Sequence, residues 1–394
     1  MKKIQTLLTT FSIVAVLAGC TSTAHQIETR VTQDNYRQVE LPIEAHNPTA
    51  EPMRTWMGDG TQYFYSEETQ TTPIRVTGDQ LNVMVLSGGG ANGAFGVGFI
   101  NGLYEQDKLD DYSIVTGISA GALMAPFVFV GGEEIPKLKN TIMGLDDKMV
   151  LGKKNFLNAI FKDALSKGDS FMSYIAKVYD EELIEKIAIE HEKGRRILIG
   201  TTQFDSDELV IWNLGQIAAS DSEHKVDLIH QILAASSSIP GVFPPQFIDV
   251  NYKGQKLEEL HVDGGLSAQM FLQAVDIDFK KINQALGLKK KPQVHVVRNG
   301  MFKMPYETVE DKGVNLLSRT LKSMTTLQSR GDLYRMMYYS EIQGFDLQFT
   351  YIADNVSATK TTKKMFDHNY MNSLYEYGYL KAQGLTPWTQ DVPF

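Results

Sequence analysis

Cysteine is almost missing from this sequence: 394 residues contain one, Cys20, so no disulfide can form within a single chain. Metal-site spacings are missing as well. No H-E-x-x-H, C-x-x-C or EF-hand loop occurs, and the expectation is therefore no metal and no cofactor. Positive charge is scarce, with 38 Lys and Arg against 47 Asp and Glu and a formal net charge of −9. A body of that sign is a poor partner for nucleic acid or for anionic headgroups as a whole. No internal repeat is visible, and the apolar run from Leu7 to Leu17 is too short to span a bilayer. Apolar side chains are plentiful: at 43% hydrophobic and 22% charged, the chain can bury a globular core.

That apolar run comes after Lys2 and Lys3 and ends in small residues, the pattern of a secretory leader over residues 1–19. Its end, Leu17-Ala18-Gly19-Cys20, resembles the lipobox of bacterial lipoprotein precursors. The resemblance implies cleavage before Cys20 and acylation of its sulfur, which also accounts for a lone cysteine at this position. Each buried acyl methylene contributes about 0.8 kcal/mol, so several chains would hold the protein at a membrane. Thr21 stands where an aspartate would imply inner-membrane retention. The expectation is a lipid-anchored protein of the bacterial cell envelope, at the outer rather than the inner membrane.

Residues 20–80 are polar and carry Pro42, Pro48, Pro52 and Pro73 without a sustained period, which reads as a tether that becomes ordered towards its end. Trp56, Tyr63, Phe64 and Tyr65 are placed to pack onto the domain that begins at residue 81. From there to residue 394 one domain is expected. Strands are predicted at Leu81 to Leu86, Ser113 to Gly117, Arg196 to Thr201, Leu209 to Asn213, Leu257 to Val262 and Gln293 to Val297. Helices are predicted at Ala91 to Gln106 and Ala120 to Val130. Strands spaced by helix-length segments imply a mostly parallel sheet sandwiched by helices, with ligands bound at the strands' carboxyl ends.

Three motifs fall at such ends. Gly117-Ile118-Ser119-Ala120-Gly121 lies between a strand and a small-residue helix, the setting of a nucleophile elbow. Ser87-Gly88-Gly89-Gly90-Ala91-Asn92-Gly93 also joins a strand to a helix, and free N–H groups there could cradle a phosphate or an oxyanion. Gly88, Gly90 and Gly93 satisfy a dinucleotide fingerprint, but that reading needs an acidic residue at the end of the next strand. The next strand ends in Ser119 instead. The third motif, Asp263-Gly264-Gly265, supplies a carboxylate at another strand end.

This ordered set, together with Ala234-Ala235-Ser236-Ser237-Ser238-Ile239-Pro240-Gly241-Val242-Phe243-Pro244-Pro245, resembles the patatin-like phospholipase family closely over residues 81–265 and loosely through Ser329-Arg330-Gly331-Asp332-Leu333-Tyr334. The resemblance implies a three-layer α/β/α fold with a mostly parallel central sheet and a nucleophile elbow. It implies a lipid acyl hydrolase acting through a Ser119–Asp263 dyad, with Gly88, Gly89, Gly90, Ala91, Asn92 and Gly93 forming or shaping the oxyanion hole and membrane lipid as substrate. Asn92 departs from the family, which often carries a basic residue there.

Alternatives remain at this level. A Ser-His-Asp triad in the order Ser119, Asp263, then His295 or His368 would fit an α/β-hydrolase, although His295 lies inside the apolar run Val294 to Val297, and His261, which would share a strand face with Asp263, reads as a structural residue or one packed behind the site. An acyltransferase could use the same acyl-enzyme, and a non-catalytic lipid-binding lipoprotein could keep the fold. Ser236, Ser237 and Ser238 lack an elbow and read as turn and helix-end residues. Asp146 and Asp147 read as a solvated turn. Met149 to Tyr179 reads as a cap over the site, an interfacial surface or an ordinary helix pair packed on the core, and Leu316 to Met337 as an amphipathic core helix.

Overall fold

A computed structural model describes residues 29–42, 51–59, 64–148, 169–272, 277–354, 356, 358–362 and 364–392. The expected leader (residues 1–19), Cys20, Tyr63 and most of Met149 to Tyr179, residues 149–168, lie outside the described residues.

Among the described residues nine strands form one sheet: β1 (Arg54–Trp56), β2 (Asn82–Leu86), β3 (Ile114–Ile118), β4 (Arg196–Gln203), β5 (Glu208–Asn213), β6 (Gln246–Tyr252), β7 (Gln255–Asp263), β8 (Gln293–Arg298) and β9 (Asp346–Tyr351). The centre, in the order β4-β3-β2-β8-β9, is parallel throughout. β5, β1, β6 and β7 join antiparallel. The difference comes from the connections, because β4–β5 and β6–β7 are joined by tight turns whereas a parallel neighbour needs a crossover. Each of the six strands expected from sequence is present. β1, β6 and β9 are additions, short or edge-lying and with mixed polarity.

Helices are α1 (Gly93–Tyr104), α2 (Ala120–Val130), α3 (Lys137–Met143), α4 (Asp169–Val178), α5 (Glu181–Glu192), α6 (Leu214–Ala218), α7 (Lys225–Ser236), α8 (Phe279–Ala285), α9 (Gly313–Gln343) and α10 (His368–Gln383). Alternation along the strands sends side chains into two separate cores. Met84, Leu86, Val115 and Ile199 face α1, α2, α5, α7 and α10, whereas Val83, Val85, Ile114 and Leu198 face α8 and the carboxyl half of α9. A three-layer sandwich results.

The amino-terminal region is stitched onto this body. Val31, Val39, Leu41 and Trp56 are buried in one core and Phe64 in the other, and Arg37 lies over the Trp56 ring at 5.1 Å. Two readings need correction. Asp147 is not a solvated turn, because its carboxylate accepts the N–H groups of Met365 (3.0 Å) and Phe366 (2.8 Å). α9 is a core helix only from Thr326 onward: Ser329, Asp332, Leu333 and Met336 are buried, whereas the turns before them stand in solvent.

Candidate active site

β2 and β3 run side by side in a register that pairs Leu86 with Gly117, so the segments leaving their carboxyl ends are neighbours. The first is Ser87 to Asn92. The second is Ser119, which holds φ 55° and ψ −123°, a left-handed conformation that a side-chain-bearing residue seldom adopts. The two motif glycines make this turn possible. A Cβ at Gly121 would collide with the Leu86 carbonyl oxygen, and one at Gly117 would lie 2.6 Å from the Gly121 oxygen. The strained turn lifts the Ser119 side chain out of the strand and places it at the amino terminus of α2, where the helix dipole favours negative charge.

Asp263 arrives from β7, whose register pairs it with Thr201 on β4. Ser119 Oγ donates to Asp263 Oδ2 at 2.7 Å, and the Gly265 N–H donates to Asp263 Oδ1 at 2.7 Å. Both residues are only 5% exposed. Burial raises the Asp263 carboxyl to about 7, against the lowering effect of the bonds from Ser119 and Gly265. The pair is thus a hydroxyl in short contact with a carboxylate whose proton affinity lies near neutrality.

The serines upstream of Asp263 act on this pair and are more than turn residues. Ser236 Oγ accepts the Ser119 N–H (3.0 Å) and donates to the Gly200 carbonyl (2.7 Å), tying the elbow to β4. The Ser238 carbonyl accepts the Asp263 N–H (3.0 Å), and Thr202 Oγ1 donates to the Asp263 carbonyl (3.0 Å). Sequence reading singles out this block without its role, since nothing in the order of residues shows which backbone groups the hydroxyls reach.

The glycine loop divides into anchored and open amides. The Gly88 N–H donates to the Gln269 carbonyl at 3.0 Å, the Asn92 N–H turns back to the Gly89 oxygen, and the Gly93 N–H bonds within the loop. Among the described residues the N–H groups of Gly89 and Gly90 have no hydrogen-bond partner. Gly89 packs on the Asn299 backbone so closely that any Cβ would collide with it. Asn92 Oδ1 accepts the Tyr370 hydroxyl at 2.7 Å.

Beneath the loop lies a buried cation that sequence reading misses. Arg298 Nη1 donates to the Gly88 carbonyl at 2.9 Å and approaches Gln269 Oε1 at 3.4 Å, and burial lowers its guanidinium to about 10. Gln269 links the glycine loop, the turn after Asp263 and α9. Its Nε2 donates to the Gly265 carbonyl (2.6 Å) and to Gln328 Oε1 (3.2 Å), and its own N–H donates to Asp332 Oδ2 (2.8 Å). Asp332 belongs to the loosely family-like segment on α9.

Among the described residues no histidine meets the pair. His261 is fully buried, sharing hydrogen bonds with Thr201 Oγ1 (2.9 Å) and Glu259 (3.3 Å), and burial lowers its pKa. His295 stacks on Trp388 and bonds the Tyr112 hydroxyl (3.0 Å), with burial lowering it to about 4. His368 opens α10. Among the described residues no cluster of His, Cys, Asp and Glu could hold a metal ion.

A buried serine–carboxylate pair at the strand ends of an α/β sandwich, beside a glycine loop with two unpartnered amides, is the arrangement found in serine acyl hydrolases that lack a histidine. Residues 84–276 match the patatin-like phospholipase family, and the chain carries a domain of that family. Triacylglycerol lipase 4 of Saccharomyces cerevisiae is 30% identical over 192 residues, which are 41% of this chain and 18% of the yeast protein, so the chain spans under a fifth of that relative. Among solved structures, VipD from Legionella pneumophila is similar with a TM-score of 0.37 and 14% identity, over 78% of this chain and 66% of that one. ExoU in complex with SpcU, from the type III secretion system of Pseudomonas aeruginosa, is similar with a TM-score of 0.30 and 14% identity, over 79% and 62%.

Proposed function

We propose that this protein hydrolyses acyl esters of membrane lipids, glycerophospholipids or their lyso forms, through a Ser119–Asp263 dyad. The observation that carries the reading is the 2.7 Å hydrogen bond from Ser119 Oγ to a buried carboxyl poised at about 7. An exposed carboxylate near its ordinary value of about 4 is too weak a base for a hydroxyl, whereas one near 7 retains useful proton affinity while still being ionised in part at neutral pH.

Ser119 Oγ attacks the ester carbonyl carbon as its proton passes to Asp263 Oδ2. The tetrahedral oxyanion collapses, the alcohol leaves with the proton from Asp263, and the acyl group remains on Ser119. Water then attacks the acyl-enzyme, giving one proton to Asp263, and release of the fatty acid returns that proton to Ser119. The open amides of Gly89 and Gly90 are assigned as oxyanion donors, each worth about 2.7–4 kcal/mol of transition-state stabilisation. Gly88 shapes the loop instead. Because the Gly88–Gly89 peptide is trans, holding its carbonyl on Arg298 turns its N–H the opposite way. Arg298 thereby supplies from below the positive charge that Asn92 does not bring, and it polarises the donating peptide.

The reading extends to location. Acylation of Cys20 would tether the enzyme beside its substrate at the outer membrane, raising local substrate concentration without a tight pocket. Product analysis on mixed envelope phospholipids tests the function. The parent is expected to release free fatty acid and Ser119→Ala none. Transfer of most acyl groups to added glycerol would overturn hydrolysis in favour of transacylation, and equal release by both proteins would overturn the dyad.

A further inference from the structure

Helix α9 runs for 31 residues, yet its buried side begins only at Thr326. In the preceding turns Leu316, Leu317, Leu321 and Met324 are exposed, Leu317 by 59% and Met324 by 61%, and Leu327 continues the patch. Leaving a leucine in water forgoes the free energy of its burial, so several on one helix half mark an interaction surface. Charge on this half is also exceptional. From Gly313 to Gly331 there is no acidic residue, although acids outnumber bases in the whole chain, and Arg319, Lys322 and Arg330 lie within the stretch.

The surface is continuous with the mouth of the Ser119 site. Gln328 Nε2 donates to the carbonyl of Leu266 (3.1 Å), itself an exposed apolar residue just beyond Asp263-Gly264-Gly265. On the other side, Lys360 Nζ donates to the Met365 carbonyl (3.0 Å), and the Met365 methyl lies 3.6 Å from where a Cβ of Gly90 would be. Burial and the nearby Lys322 hold the Lys360 ammonium below the usual lysine range, against the opposing pull of Asp147 and Asp367.

We propose that the amino-terminal half of α9, with Lys322 and Lys360, docks the site mouth onto a bilayer surface rich in anionic phospholipid. Glu307 pairs with Arg319 (3.1 Å) and Glu310 accepts from Asn315 (3.2 Å) where the helix begins, which leaves Lys322 as the cation among the exposed leucines and Met324. Apolar side chains around a lysine, on a stretch with no acid of its own, are the composition of an interfacial helix. The net charge of −9 gives the surface a direction, because an anionic membrane repels the rest of the body and attracts this face. The proposal rests on reading Ser119 as the nucleophile of a lipid acyl hydrolase, and it names anionic phospholipid in a bilayer as that site's substrate form.

The test uses the full chain and two vesicle compositions, pure phosphatidylcholine and phosphatidylcholine with about one third phosphatidylglycerol. The triple variant Leu317→Ser, Leu321→Ser, Met324→Ser should hydrolyse a water-soluble short-chain ester within about twofold of the parent and lose about tenfold or more on the anionic vesicles. Lys322→Glu should lose activity on anionic vesicles and not on neutral ones. Vesicle flotation of the same variants in a Ser119→Ala background separates docking from chemistry. A parent inactive on every ester defeats the hydrolase reading while flotation still decides the docking. Equal flotation of parent and triple variant overturns the proposal. So does a lipid-free dimer that the triple substitution dissociates, since a second copy would then be the occupant.

Discussion

A carboxyl group raised to about 7 has consequences that can be measured without any substrate in view. Asp263 must be ionised to accept the Ser119 proton, so kcat/KM for a soluble ester should rise with pH on an apparent pKa near 7 and level off above it. A profile flat from pH 5 to 8 would contradict the assignment. The linkage has a definite sign. The folded state holds this proton more tightly than the unfolded state, so Asp263 costs nothing below its unfolded value near 4, and stability falls as pH rises through about 7. Asp263→Asn removes that cost. It should abolish activity yet raise stability by on the order of 1–4 kcal/mol at pH 8.5, with little gain at pH 4, as thermal melts at the two pH values would report. Ser119 carries a second cost in its φ of 55°. Ser119→Gly and Ser119→Ala should both be inactive, but the glycine variant should be the more stable by about 1–2 kcal/mol, the reverse of the usual order for these residues next to a helix.

At the scale of elements, the site is a junction of three loops, and its precision comes from what lies behind them. Ser236, at the end of α7, holds the Ser119 amide and the β4 backbone at once. Ser236→Ala leaves a buried carbonyl and a buried N–H without partners, which costs about 1–3 kcal/mol of stability. Kinetically, kcat should fall by more than KM rises, because the substrate-binding surface is left intact while the nucleophile loses its brace. A change confined to KM would contradict that role. The elbow, the glycine loop and the acidic turn are each legible as local spacings between a strand and a helix. Their braces are not. The side chains of Ser236, Arg298 and Asp332 and the carbonyl of Gln269 meet backbone groups dozens to hundreds of positions away, and a hydrogen bond over such a separation leaves no periodic mark in the chain.

The whole molecule shows the same division. The parallel strands β2, β3, β4 and β8 are readable because each is a buried run of apolar residues flanked by turn signals. β1, β6 and β9 are not, because an edge strand needs only every second side chain to be apolar, and Asp249 in β6 and Gln348 in β9 interrupt the run. α9 misleads for a related reason: its amphipathic pattern is real along its entire length, but only half of the helix has the body of the protein to lie on. Burial is a property of the assembled layers, which local hydrophobic period cannot report. Long-range assembly is likewise what the catalytic claim depends on, since 144 positions separate Ser119 from Asp263. The most direct measurement is the site and rate of covalent labelling by a fluorophosphonate, read by peptide mass spectrometry at pH 8. A single adduct on Ser119, slowed at least about a hundredfold in folded Asp263→Asn, is the predicted result. Labelling at another serine, or a rate indifferent to Asp263, would contradict the account.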